Sequence, residues 1–167
     1  MNIKKAVSDY FRQVIEYAEA KKRLEICPIM HSSVQYKGMN IYINDDTVLV
    51  HTMIGKKYPA IIIAEFANGT EGIVINHAYT ELPEEIQIAG YEHEIGHSVH
   101  KHNKNLTWFQ KARKSGVYMK AEYEADAYAV SQVGKEAVIG LLTTIFKAPG
   151  TSKSELNKRL NAIHKGN

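Results

Sequence analysis

Residues 83–102 have the sequence PEEIQIAGYEHEIGHSVHKH, and their pattern is that of one long helix. Pro83 suits a first helical turn, because its ring fixes φ and the N–H it lacks would have no helical partner there. Glu84 and Glu85 place negative charge at the beginning of the segment, and basic residues lie at its end, which favours the helix dipole. The spacing therefore predicts a helix from about residue 83 to residue 102.

Inside this segment His93, Glu94 and His97 form an H-E-x-x-H motif. Four residues advance a helix by about 400°, so the two imidazoles lie one turn apart on one face and can both reach a tetrahedral metal ion. Glu94 is one position further round, where its carboxylate can hold a metal-bound water. Paired histidines on a helix are usually a solvated surface pair. The apolar residues around this motif instead indicate a core-facing helix, where unpaired imidazoles would be costly.

A second helix is predicted over residues 118–133, and its segment AEYEADAYA carries three acids. Glu122 and Asp126 share a face at i, i+4 spacing. A catalytic zinc site needs three protein ligands and an open fourth position, so Glu122 is the expected third ligand. Asp126 could accept the outer N–H of a liganding histidine and fix its tautomer. Glu124 lies about 200° round the helix from Glu122 and is expected to face solvent. The alternatives to Glu122 are Glu124, His100 or no metal at all.

HEIGH followed by EYEADAYA resembles the gluzincin metallopeptidases, which have a zincin-like α+β fold. In its size and in its order of N-terminal helix, small sheet, HExxH helix and glutamate helix, the chain resembles the ImmA/IrrE family metallo-endopeptidases. In the stretches GKEAVIGLLTTIF and TSKSELNKRLNAI it resembles the soluble core of the HtpX-like and CAAX-prenyl-protease-like zinc peptidases. The motif match covers roughly residues 72–164.

This resemblance implies that His93, His97 and Glu122 bind one zinc ion per chain and that Glu94 is the catalytic base. The chain also departs from both branches. The Ser-x-His-Pro element that is usual in the second branch is replaced at residues 148–153 by APGTSK. No helix-turn-helix or sensor domain of the first branch is recognisable. The resemblance therefore supports the site better than it supports a particular substrate.

Taken together with the remaining segments, the sequence predicts a single α+β domain over residues 1–167. Apolar residues at i, i+3, i+4 spacing predict an amphipathic helix over 3–25. Five short β-branched or aromatic runs predict a small, mainly antiparallel sheet: SVQY, NIYIN, TVLVHTM, AIIIAEF and GIVIN. The last two runs are expected to form a hairpin across Asn68-Gly69. Further helices are predicted over 135–147 and 152–164, and a loop is expected after Lys104.

Composition excludes several classes of protein. The formal net charge is +3, but Lys and Arg are spread along the chain, so we expect no nucleic-acid partner. The longest apolar stretches contain about a dozen residues, short of the roughly 20 that span a bilayer, so no membrane association is expected. Cys27 is the single cysteine and cannot form an internal disulfide, which fits a reducing compartment and predicts a cytoplasmic protein.

The sequence therefore predicts a zinc-dependent metallo-endopeptidase, which hydrolyses peptide bonds through a zinc-bound water activated by Glu94. The expected partner is a protein or peptide substrate, bound by strand addition along the strand at 72–76. The alternative is a catalytically idle, zinc-stabilised module that binds a protein partner, although such a module has no need of Glu94. Six residues are candidates for stabilising the oxyanion: Tyr118, Tyr123, Tyr128, His100, His102 and His164.

Overall fold

The computed structural model describes residues 3–26, 34–66, 68–102 and 116–166. These residues form an α+β structure. The helices are α1 (Ile3–Ile26), α2 (Asp45–Thr52), α3 (His77–Thr80), α4 (Glu84–Val99), α5 (Gly116–Val133), α6 (Lys135–Ile145) and α7 (Lys153–Lys165). The strands are β1 (Val34–Tyr36), β2 (Met39–Ile43), β3 (Ile61–Glu65) and β4 (Glu71–Ile75).

The predicted helices over 3–25, 118–133, 135–147 and 152–164 are confirmed to within two residues at each end. The helix predicted over 83–102 is confirmed as α4, which begins after Pro83 and ends three residues early at Val99. Ser152 caps α7 by accepting a hydrogen bond from the backbone N–H of Glu155. The loop expected after Lys104 falls on residues 103–115, which lie outside the described residues.

The four strands form one mixed sheet in the order β1-β2-β4-β3. β1 and β3 run antiparallel to their neighbours, whereas β2 and β4 pair in parallel. The predicted hairpin is confirmed, because β3 and β4 pair from Ile61↔Ile75 to Glu65↔Glu71. Gly69 has a φ of +77°, a conformation that the Asn-Gly turn requires and that glycine adopts without strain.

The prediction that TVLVHTM forms a strand is wrong, because residues 47–52 belong to α2 and Met53 is its C-cap. The side chain of Asn44 caps this helix by accepting a hydrogen bond from the Thr47 N–H at 2.7 Å. Acidic residues follow in the first turn, and Val48 and Leu49 are each only 1% exposed. Capping and burial of one helix face therefore outweigh the β-propensity of the threonines and valines.

The strand expected to bind a substrate at residues 72–76 is not an edge strand. It corresponds to β4, which is hydrogen-bonded to β2 on one side and to β3 on the other. The N–H of Asn76 is also used, because it donates to Ala60 O. Substrate addition along 72–76 is therefore excluded, and within the described strands the two edges are β1 and β3.

Helix α4 lies at the centre of the fold and packs against α5, α6 and β3. It approaches α5 very closely at Gly96, where a Cβ would lie 3.0 Å from the Ala125 Cα. Ala121, Ala125 and Ala129 supply the small side chains on α5 that permit this approach, and all three are buried. The close packing of these two helices brings the H-E-x-x-H segment against the acidic segment of α5.

Within the part of the chain that the structure describes, no helix combines the length and the apolar character needed to cross a membrane.

Candidate metal centre

Two turns of α4 and one turn of α5 bring three metal-ligating side chains together. His93, His97 and Glu122 each offer one ligand atom, and these atoms all lie within 4.8 Å of one another. The Nε2 atoms of the two histidines are 3.1 Å apart. Glu122 Oε1 is 3.5 Å from His97 Nε2, and Glu122 Oε2 is 3.6 Å from His93 Nε2. The three residues predicted as ligands are therefore adjacent in space, and they could hold a metal ion.

The distances between the three residues are similar to those in a tetrahedral site. Ligand atoms at about 2.0–2.1 Å from a tetrahedral ion are separated from one another by about 3.3–3.4 Å. The shortest separations between the three residues, 3.1, 3.5 and 3.6 Å, lie on either side of this value, and the two that involve Glu122 start from different carboxylate oxygens. With one ligand atom from each residue, the three atoms lie within 4.8 Å of one another, so a bound cation would draw them closer together.

Asp126 lies behind His93, as its position one turn after Glu122 predicts. Its Oδ1 is 3.0 Å from His93 Nδ1, although the N–H does not point at the oxygen well enough for a hydrogen bond. Burial lowers the pKa of His93, but Asp126 and Glu122 outweigh burial and raise this pKa to about 10. At neutral pH both nitrogens of the metal-free His93 ring are therefore protonated, and a metal ion has to displace one of these protons.

His97 has the opposite electrostatic environment. Burial lowers its pKa to about 3, and the positive charge of His93 acts in the same direction. The His97 ring is therefore neutral at physiological pH, with one nitrogen lone pair available to a cation.

Arg159, on α7, is a site residue that the sequence analysis missed. Its Nη1 is 2.7 Å from Glu122 Oε2, while its Nε and Nη2 donate to the two Asp126 oxygens at 2.8 and 2.6 Å. Burial alone would raise the pKa values of Glu122 and Asp126, but the guanidinium holds both below their usual range. The available signal was helical spacing, since Arg159 shares a face with three apolar residues of α7: Leu156, Leu160 and Ile163.

Glu94 is buried beside the three ligands and is only 7% exposed. The backbone of Ile63 on β3 lies near this carboxylate and partly lowers its pKa. Burial raises the pKa of Glu94 to about 7, and the nearby charge of Glu122 adds to this effect. A carboxyl group with this pKa can take up and release a proton near neutral pH.

The alternative third ligands are outside the cluster. The only group of metal-ligating side chains found among the described residues contains neither Glu124 nor His100. The Glu124 side chain is 38% exposed, so the expectation that it faces solvent is only partly met. One of its oxygens lies 3.6 Å from Lys120 Nζ and the other contacts His102.

The six oxyanion candidates have different surroundings. Tyr118 OH donates a hydrogen bond to Glu155 at 3.2 Å, and burial raises the pKa of Tyr118 well above its ordinary value. Both ring nitrogens of His102 have partners, and the His100 ring stacks on it. Across the described ranges, no hydrogen bond or ion pair joins the metal-ligand group to Tyr123, Tyr128 or His164.

Comparison of the chain with protein-family models, with curated proteins and with solved structures finds no match. The class of site is therefore defined by its own geometry: a buried His93, His97 and Glu122 group that could hold a metal ion.

Proposed function

We propose that this protein is a zinc-dependent metallo-endopeptidase with a zincin-like fold. The observation that carries the proposal is the buried His93, His97 and Glu122 group with Glu94 next to it. The likeness of HEIGH and EYEADAYA to gluzincin motifs supports the same function. A cytoplasmic location belongs to the proposal too, since the chain has a single cysteine.

Zinc is the metal that this donor set favours. Two imidazole nitrogens and one carboxylate are a known catalytic zinc set, with a fourth position left for water or substrate. The local charges also favour a divalent cation. When Glu94, Glu122 and Asp126 are all ionised, Arg159 neutralises only one of the three charges, so a 2+ ion balances the remainder. The described residues contain one such group, which predicts one zinc ion per chain.

The chemical step assigned to this site is hydrolysis of a peptide bond. Zinc, when bound, would polarise the scissile carbonyl and make the attacking water more acidic. Glu94 takes a proton from this water as the water oxygen bonds to the carbonyl carbon. The C–N bond then breaks, and Glu94 passes the proton to the departing amine. Arg159 and Asp126 hold Glu122 and His93 in position throughout.

The substrate is proposed to lie along β3 rather than β4. β3 is an edge strand of the described sheet, so its outer backbone groups can pair with an extended peptide. The Ile63 backbone on this strand lies near Glu94, and α4 packs against β3, so β3 borders the metal centre. A peptide paired with β3 would therefore pass close to the catalytic base.

The proposal is tested by comparing the wild type with Glu94→Gln. The probe is a mixture of quenched-fluorescence peptides, assayed with one equivalent of zinc. Glu94→Gln should bind zinc as the wild type does, because Glu94 is not a ligand. Its turnover should fall by about 10²–10⁴-fold, because the substitution removes the general base. Zinc content is measured on the same samples.

Glu85→Gln is the matched control, since Glu85 is an exposed acid on the same helix. It should leave both zinc binding and cleavage unchanged. Equal cleavage by the wild type and Glu94→Gln would refute the proposed mechanism. A wild type that binds zinc stoichiometrically but cleaves no peptide in the mixture would favour the zinc-stabilised binding module instead.

A further inference from the structure

His102 is a buried histidine that the proposed peptidase chemistry does not use. It lies three residues after the end of α4 and is only 7% exposed. Its Nδ1 is 2.9 Å from His97 Nδ1, and its Nε2 is 2.9 Å from Glu124 Oε2. These contacts form a chain of three side chains that begins at a metal ligand and ends at a carboxylate.

The carboxylate fixes the direction of the hydrogen bonds in this chain. An ionised Glu124 can only accept, so His102 carries its hydrogen on Nε2 and donates it to Glu124. With the His102 ring neutral, its other nitrogen is an acceptor, so His102 Nδ1 accepts from His97 Nδ1. His97 therefore carries its hydrogen on Nδ1, and its Nε2 is unprotonated.

This unprotonated nitrogen, His97 Nε2, is the one that faces the other two proposed ligands. His97 Nε2 is 3.1 Å from His93 Nε2 and 3.5 Å from Glu122 Oε1. The reverse arrangement, with His97 Nδ1 as acceptor, would put the hydrogen of the neutral His97 ring on Nε2 and block metal binding there. The direction set by Glu124 is therefore the direction that a metal ion on His97 requires.

We propose that Glu124 and His102 form a positioning relay, which holds His97 in the tautomer that binds metal through Nε2. The inference rests on the metal centre of the proposed function. Helix α5 then supplies a carboxylate behind each liganding histidine. Asp126 lies directly against His93 at 3.0 Å, whereas Glu124 acts on His97 through the His102 ring. His102 and Glu124 are positioning residues in this scheme, with no contact to substrate.

The relay is tested by zinc titration of full-length variants against a chromophoric chelator. His102→Phe keeps a flat ring but removes the acceptor, so zinc affinity should fall by about 10–100-fold, the usual effect of losing such a partner. His102→Asn restores an oxygen acceptor near the position of Nδ1 and should recover affinity to within about threefold of the wild type. A loss of packing alone would not distinguish these two variants in this order.

Glu124→Met provides a second test at a partly exposed position, where folding is not at risk. It removes the terminal acceptor and should also weaken zinc binding. Lys120→Met is the matched control, because Lys120 contacts Glu124 but not His102, and it should leave zinc affinity unchanged. In the zinc-loaded wild type, proton NMR should show a slowly exchanging His97 Nδ1–H resonance that disappears in His102→Phe.

The outcomes separate the relay from the metal centre. A wild type without stoichiometric zinc binding would overturn the metal centre and the relay with it. Tight zinc binding by the wild type and equally tight binding by His102→Phe and Glu124→Met would overturn the relay alone. Equal weakening in His102→Phe and His102→Asn would also overturn it, since the acceptor would then make no difference.

Discussion

Two arginine–aspartate pairs in this molecule have nearly the same geometry and opposite surroundings. Arg159 donates hydrogen bonds from Nε and Nη2 to Asp126 at 2.8 and 2.6 Å. Arg23 donates from the same two atoms to Asp46 at 2.7 and 2.8 Å. The side chains of the first pair are 4% and 2% exposed. Those of the second are 49% and 23% exposed, where α1 meets α2.

The difference shows that hydrogen-bond geometry does not determine what a pair contributes. At the surface, water competes for both groups and salt screens them, so an exposed pair adds little stability. In the interior, removing one partner leaves the other charge buried and unpaired, which strongly destabilises the fold. The buried pair also contacts the candidate metal ligands, because Asp126 lies against His93 and Arg159 lies against Glu122.

Arg159→Met should have the largest effect on folding. It leaves Glu122 and Asp126 buried without their cation, and removing one partner from a buried ion pair typically costs about 3–5 kcal/mol. The free energy of unfolding of the zinc-free protein, measured by urea denaturation, should fall by about this amount. Added zinc should restore part of the loss, because the cation again balances the carboxylates.

Arg23→Met is the control for this prediction. It removes the guanidinium group from the exposed pair. The free energy of unfolding should change by only a small fraction of the Arg159→Met loss. Equal losses in the two variants would show that burial does not separate the pairs.

Asp126→Asn should have the next largest effect, on metal affinity. The amide is uncharged, so it supports the Nδ1–H of His93 less well and leaves Arg159 partly unpaired. Loss of such a partner typically weakens metal binding by about 10–100-fold. Zinc affinity is measured by competition with a chelator. Asp46→Asn makes the same chemical change at the exposed pair and should bind zinc as the wild type does. Indistinguishable zinc affinities in the two variants would contradict a supporting role for Asp126.

Local spacing is enough to find the candidate metal-ligand group, but not the residue that balances its charge. His93 and His97 are one turn apart, and Glu122 and Asp126 repeat this spacing on the next long helix. Helical periodicity therefore predicts which side chains share a face before any packing is known. Arg159 is 33 residues beyond Asp126, and their contact depends on how α7 packs against α5. That packing is not encoded in either helix alone.

Helix α1 shows the same limit at the surface. Its periodicity correctly predicts an amphipathic helix, but several of its described apolar side chains do not face the core. Five of them are 37–61% exposed: Val7, Tyr10, Phe11, Val14 and Ile15. Asp9 and Gln13, which are polar, are less exposed than these neighbours. Amphipathic spacing therefore predicts that a helix has two faces, and not which face the rest of the fold covers.

The smallest predicted effect is the pH dependence of the exposed pair. The hydrogen bond from Arg23 lowers the pKa of Asp46 to about 2. Burial opposes this shift, and Lys56 adds to it. The pKa of Asp46 in the unfolded chain is near 3.8. Its folded pKa is depressed, so its contribution is present above pH 3.8 and is lost as the pH falls through about 2.

The measurement compares the free energies of unfolding of the wild type and Asp46→Asn between pH 6 and pH 3. At pH 6 the wild type should be more stable by up to about 1 kcal/mol, the usual range for exposed pairs. The difference should shrink as the pH falls toward 3, because protons then begin to neutralise Asp46 in the unfolded chain. It should also shrink in 1 M salt at pH 6, because salt screens charges that water reaches. A difference that is constant over this pH range would show that the Asp46 side chain acts through packing or capping of α2 rather than through its charge.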